Sequence, residues 1–149
     1  MNILKVGDKV PNFSSVDQYG NKITLTDFSG KKLIVFFYPR ANTPGCTAQA
    51  CDLRDHYGDL KSAGYNLVGV SADSVKHQLS FSNKFNLPFS LLADEDHSLI
   101  NIFGVWGPKK FRGKEYEGIN RITFIINENG YIDRVIDKVT TKDHASQIL

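Results

Sequence analysis

Six consecutive residues, Leu33-Ile34-Val35-Phe36-Phe37-Tyr38, are apolar or aromatic with no polar member among them. A strand with one face in water alternates apolar and polar side chains, whereas this run is apolar on both faces. It suits a central strand covered on both sides. Residues 66–71 read as a second buried strand and residues 89–93 as a third. Between the first two, Ala50, Leu53, Tyr57 and Leu60 recur at three- and four-residue intervals. That spacing predicts one helix over about residues 47–63 with Gly64 as its stop. A second helix is expected over residues 74–85 with Ser74 as its N-cap. Asp94, Glu95 and Asp96 open a short third one, as carboxylates suit the positive end of a helix dipole. Residues 121–126 and 131–139 flank Glu128-Asn129-Gly130, a hairpin signal, and residues 13–25 form another hairpin turning at Tyr19-Gly20-Asn21. A last helix is expected from Lys142. This succession predicts an α/β protein, with a mixed central β-sheet flanked by helices and an N-terminal β-hairpin, residues 1–149 forming one domain.

The apolar strand runs directly into Pro39-Arg40-Ala41-Asn42-Thr43-Pro44-Gly45-Cys46, and the second of the two cysteines follows at Cys51. A cysteine on the first turn of a helix faces unpaired N–H groups and the positive end of the dipole, both of which favour the thiolate. The thiolate is the reactive form, so redox or nucleophilic chemistry is expected at Cys46. On one intact helix, five residues rotate about 140° and rise about 7.5 Å, placing the two Cα atoms roughly 8–9 Å apart. A disulfide tolerates at most about 7 Å. Either the pair never bonds, or the first helical turns unwind when it does.

Composition removes several other classes. A net charge of +2 with scattered lysines and arginines argues against nucleic acid or an anionic membrane. No apolar run approaches the ~20 residues that span a bilayer. The first residues lack the apolar core of a signal peptide, so the expected location is cytoplasmic. Two cysteines in a cytosolic chain point to redox cycling ahead of a structural disulfide. Metal is disfavoured because His56, His77, His97 and His144 make no spaced pair with the cysteines.

Pro39-x-x-x-Thr43-x-x-Cys46 after an apolar strand resembles the active-site signature of the peroxiredoxins. The fuller string Asn42-Thr43-Pro44-Gly45-Cys46-Thr47 with Cys51 is similar to the bacterioferritin comigratory protein or peroxiredoxin Q subgroup. So are Ser90-Leu91-Leu92-Ala93-Asp94, Phe103-Gly104-Val105-Trp106-Gly107 and Gly118-Ile119-x-Arg121-x-Thr123-Phe124. The resemblance implies a thioredoxin-like fold and a thiol peroxidase for hydrogen peroxide and organic hydroperoxides, acting in antioxidant defence with no cofactor. It implies Cys46 as peroxidatic cysteine, oxidised to a sulfenic acid, and Cys51 as the resolving cysteine that closes an intramolecular disulfide. Thr43 is then the hydroxyl on the peroxide, Arg121 the guanidinium steadying thiolate and transition state, and Pro39 the shield against water. The implied reductant is thioredoxin or a similar dithiol, and the implied state is a monomer; members of the family tend to run on a little past the position of Leu149. Many relatives carry Glu three residues after the peroxidatic cysteine; here it is Gln49, which accepts a hydrogen bond without neutralising Arg121.

A free cysteine is already a few per cent thiolate at neutral pH, so complete ionisation gains only about 30-fold, roughly 2 kcal/mol. A fast peroxidase therefore needs donors aimed at the peroxide oxygens. Thr43 Oγ, the N–H groups of Gly45 and Cys46, and Arg121 are the candidates. Elsewhere, Trp106 is expected to pack under a loop, Phe81, Phe85 and Phe89 to form core and pocket wall, and the four histidines to be solvated. A thioredoxin-like disulfide oxidoreductase, a peroxide-sensing redox relay and a holdase are the rival functions.

Overall fold

A computed structural model describes residues 3–149. Its centre is a five-stranded sheet in the order β5-β4-β3-β8-β9. β3 (Lys32–Phe37), β4 (Tyr65–Ser71) and β5 (Ser90–Ala93) run parallel, while β8 (Thr123–Ile126) and β9 (Ile132–Ile136) are antiparallel additions on the far side of β3. β3 is central, and its alternate residues enter different cores. Leu33, Val35 and Phe37 join Val68, Val70, Phe103 and Phe124 on one face, while Ile34, Phe36 and Tyr38 join Leu67, Phe81, Phe89 and Ile125 on the other. The uninterrupted apolar run is thus explained: neither face of β3 meets water. Gly69 belongs to the same packing, because a Cβ there would lie 2.7 Å from Phe36 Cζ. The N-terminal hairpin is present as β1 (Ser14–Val16) and β2 (Lys22–Thr24).

The parallel strands are joined by helices. α1 (Pro44–Asp55) and α2 (Tyr57–Ser62) connect β3 to β4, and α3 (Val75–Phe85) connects β4 to β5. Ser74 caps α3 as expected, its side chain accepting from the His77 N–H. The single helix expected from Thr47 to Ala63 is corrected to two, starting at Pro44 and interrupted at His56 (φ −108°, ψ 14°). The apolar spacing continues across the break, where the His56 ring Nδ1, 2.9 Å from the Asp52 carbonyl, shares that oxygen with the longer 3.2 Å bond from its own N–H, and the backbone leaves helical angles for one residue. α4 (Ser98–Phe103) follows the acidic triplet, of which Asp94 is the effective member. It is buried and takes the Leu99 and Ile100 N–H groups at 3.0 and 2.8 Å.

Two elements differ from expectation. β6 (Trp106–Phe111) and β7 (Lys114–Ile119) form a hairpin absent from the sequence reading, turning through Arg112 and Gly113, both at positive φ. The final helix, α5 (His144–Ile148), buries His144, which was expected in solvent. Thr123 Oγ1 lies 2.8 Å from its Nε2 and Gln147 Oε1 2.7 Å from its Nδ1. Because Gln147 Oε1 also receives the Thr140 N–H, it is an acceptor, so Nδ1 carries the proton and Thr123 donates to Nε2. Burial pulls the His144 pKa below its usual 6.5. The unfolded chain then takes up this proton before the folded one, so stability present above about pH 6.5 falls as the pH drops toward the folded value. Half-exposed His56, its pKa raised chiefly by the Asp52 carbonyl, has the opposite sign. The expected result is a melting temperature that declines on acidification from about pH 7 to about 5.5, with a shallower decline in His144→Gln. Equal slopes in the two proteins would contradict the assignment.

Candidate active site

The carboxyl ends of β3 and β4 and the amino end of antiparallel β8 lie at the same edge of the sheet. Cys46 and Arg121 come from the segments that leave or enter it there. Proline at the first helical position presets the turn of α1 and lacks an N–H to leave unpaired. The first helical hydrogen bond runs from the Thr47 N–H to the Thr43 carbonyl at 2.8 Å. The Gly45 and Cys46 N–H groups precede it, in the first turn where no intrahelical acceptor exists. Cys46 is 1% exposed, and Arg121 Nη2 donates to its sulfur at 3.3 Å. Arg121 Nη1 donates to Gln49 Oε1 at 2.7 Å. The guanidinium is therefore held against the sulfur by Gln49, whose own Nε2 is buried and finds no acceptor among the described residues. Gly45 leaves room for it, since a Cβ there would stand 3.2 Å from Arg121 Nη2.

Cys46, Thr43, Arg121 and Pro39, four of the five residues singled out from sequence, line one cavity of about 800 Å³. Cys51 does not line it. It lies partly exposed one and a half turns along α1, and both cysteines are free thiols. Thr43 departs from the expected role of donor, because its hydroxyl donates to the Arg40 carbonyl at 2.8 Å and presents lone pairs to the cavity.

Much of the remaining wall was not anticipated. Trp106, Lys109, Tyr116 and Ile119 come from the β6–β7 hairpin, and His97 stacks on Trp106 with ring centroids 4.8 Å apart. Trp106 thus lines the cavity, while its Nε1 donates to Glu117. Phe81 and Phe89 belong to the core cluster and half-buried Phe85 packs against it; none of the three lines the cavity, which corrects their expected part in its wall. Lys109 donates to the Ile119 carbonyl at 2.8 Å, and its pKa is lowered by burial first and by Arg121 second, with Cys46 opposing. Among the described residues neither Lys109 nor Arg121 pairs with a carboxylate. The cavity is therefore cationic where it meets the sulfur and apolar along Trp106 and Tyr116. No group of three or more His, Cys, Asp or Glu side chains among the described residues could hold a metal.

A buried thiol in contact with a guanidinium, on the first turn of a helix and facing a cavity, has the setting of a cysteine nucleophile. The chain belongs to the AhpC/TSA family, whose sequence model matches residues 6–135. It is 49% identical to peroxiredoxin Bcp of Escherichia coli over 149 residues, covering 100% of this chain and 96% of that protein. The structure of Xanthomonas campestris peroxiredoxin Q superposes with a TM-score of 0.88 at 32% identity, covering 98% of this chain and 92% of that one. A structure of the bacterioferritin comigratory protein of the same organism, described for its alkyl peroxide reduction activity, gives 0.88 at 31% identity, with 99% and 94% covered. The fold is thioredoxin-like, and the chain is a peroxidase of the peroxiredoxin group, an antioxidant oxidoreductase that takes electrons from thiols.

Proposed function

We propose that the protein reduces hydrogen peroxide and organic hydroperoxides through Cys46, with Cys51 resolving and thioredoxin or a similar dithiol protein as reductant. The observation that carries this is the Arg121–Cys46 contact under the first turn of α1. The Cys46 thiolate attacks one peroxide oxygen. The O–O bond breaks, Cys46 becomes a sulfenic acid, and the leaving oxygen departs with the electron pair and takes a proton to give water or an alcohol. As charge moves onto that oxygen, Arg121 and the Gly45 and Cys46 N–H groups stand ready as donors. Thr43, its own proton engaged with Arg40, accepts from the peroxide O–H. Pro39, which lines the same cavity as Cys46, is the proposed shield of the sulfur against water. An 800 Å³ cavity with an aromatic wall is large for hydrogen peroxide alone and supports organic hydroperoxides as substrates, the activity described for the Xanthomonas relative.

The Cys51 thiol then condenses with the sulfenic acid, releasing water and forming a disulfide, which a dithiol partner reduces by exchange. Both cysteines lie on α1, where an intact helix holds their Cα atoms roughly 8–9 Å apart. The bond therefore requires α1 to unwind. Its interruption at His56 limits the segment that must open, and few long aliphatics tie it down. After one equivalent of peroxide, peptide mapping is expected to recover a Cys46–Cys51 disulfide, with faster amide exchange over residues 44–55 than in the reduced protein. A disulfide with unchanged exchange would contradict unwinding, and no disulfide would remove Cys51 from the cycle.

A further inference from the structure

The loop between β3 and α1 carries Pro39 and Thr43, and it is held from outside by a chain of side chains that runs from buried Tyr38, Gln78 and Ser71 to half-buried Asp73. Tyr38 Oη donates to Gln78 Oε1, which fixes the orientation of that amide. Gln78 Nε2 donates to Ser71 Oγ at 2.9 Å and to the Leu92 carbonyl at 2.8 Å. Ser71 Oγ, its lone pairs engaged by Gln78 and by the Asp73 N–H, donates to Asp73 Oδ2 at 2.6 Å. The same oxygen accepts the Ala41 N–H at 2.8 Å. The side-chain donors thus run in one direction, from Tyr38 through Gln78 and Ser71 to the Asp73 carboxylate, while Gln78 is also anchored on Leu92. Burial pushes the Tyr38 phenol pKa upward, so its end of the chain remains a donor.

Ala41 is the middle of the loop. At one end the Tyr38 N–H is bonded to Val70, and at the other the Thr47 N–H is bonded to Thr43. Over residues 39–42, the bond from the Ala41 N–H to Asp73 is the tether to another element among the described residues. The next residue, Asn42, sits at φ 64°, in the left-handed region where a side chain other than glycine is strained. The Thr43 side chain, one residue on, is tied back to the Arg40 carbonyl of the same loop. Ala72, adjacent to Asp73, lines the same cavity.

We propose that Asp73 is a positioning residue for the peroxide reaction: its carboxylate, oriented by Ser71, Gln78 and Tyr38, holds Ala41 so that Thr43 and Pro39 face the Cys46 sulfur. The inference rests on the peroxide chemistry proposed above for Cys46 and Thr43. It requires Asp73 to act on peroxide geometry and to leave the sulfur itself, held by Arg121 and α1, as reactive as before. A displacement of about 1 Å at such a site costs up to about 100-fold.

The test compares two reagents on the same reduced proteins: hydrogen peroxide, and iodoacetamide, a neutral alkylator that needs no peroxide geometry. Asp73→Ala is expected to lower the peroxide rate constant about 10- to 100-fold while alkylation changes less than about threefold. Asp73→Asn keeps an acceptor oxygen for Ala41 and is expected to restore most of the peroxide rate. Ser71→Ala, a milder change that leaves the Ala41 bond in place, is expected to give a smaller loss in the same ratio and serves if Asp73→Ala does not fold. An unchanged ratio of the two rates in these variants would overturn the inference, whether both rates hold or both fall together. The wild type is measured alongside. A slow peroxide reaction there would overturn the peroxide chemistry and this inference with it, whereas a fast wild type with an unchanged ratio in the variants overturns the role of Asp73 alone.

Discussion

Arg121→Met is expected to slow the reaction of reduced protein with hydrogen peroxide about 100- to 1,000-fold, the usual cost of removing one well-placed donor to a developing oxyanion. Arg121 touches both Cys46 and Gln49, so the substitution removes a donor from the sulfur and strands Gln49 Oε1 in a buried place. Arg121→Lys is expected to recover no more than about tenfold. A single ammonium cannot reproduce the fork that reaches the sulfur with one nitrogen and the amide with the other. Stopped-flow rate constants for the three proteins check this. A loss below about threefold in Arg121→Met would mean that the guanidinium contributes packing and little else.

Cys51→Ser is expected to divide the catalytic cycle. The first step, attack on peroxide, should be unchanged within about twofold, because Cys51 lies outside the cavity. Turnover with micromolar thioredoxin should fall at least about 100-fold. A thiol on the same flexible segment acts at an effective concentration in the millimolar range, roughly a hundred- to a thousandfold above such a reductant. Millimolar dithiothreitol should therefore rescue much of the turnover. Excess peroxide should then drive Cys46 to the sulfinic acid, which mass spectrometry detects directly. Undiminished turnover with thioredoxin in Cys51→Ser would show that resolution occurs elsewhere.

Most of the sheet was legible in the chain because β3, β4, β5 and β8 are buried on both faces and announce themselves as apolar runs, while β9 was legible from the turn before it. The α3 boundary was legible because Ser74 is a cap. The break at His56 was hidden, since Leu53, Tyr57 and Leu60 keep a continuous helical spacing across it. The β6–β7 hairpin was hidden for a different reason. Residues 114–117 of β7 are all exposed, so no alternation of apolar and polar side chains marks a strand. That omission concealed the cavity wall formed by Lys109 and Tyr116. Cys46, Pro39 and Thr43 were legible as one local motif, and Arg121 through the resemblance around it. The roles of His144 and Asp73 depend on partners at Thr123 and Ala41, 21 and 32 residues away, distances at which local pattern carries no information.

The most direct test of the account follows the reduced protein in a stopped-flow instrument as it meets hydrogen peroxide. The signal is the fluorescence of Trp106, the single tryptophan, which lines the same cavity as Cys46. The predicted result is a rate constant orders of magnitude above that of free cysteine, well beyond the roughly 30-fold that ionisation alone supplies, and absent in Cys46→Ser. A rate close to that of free cysteine would contradict the account, because Arg121 and the first turn of α1 would then activate no peroxide.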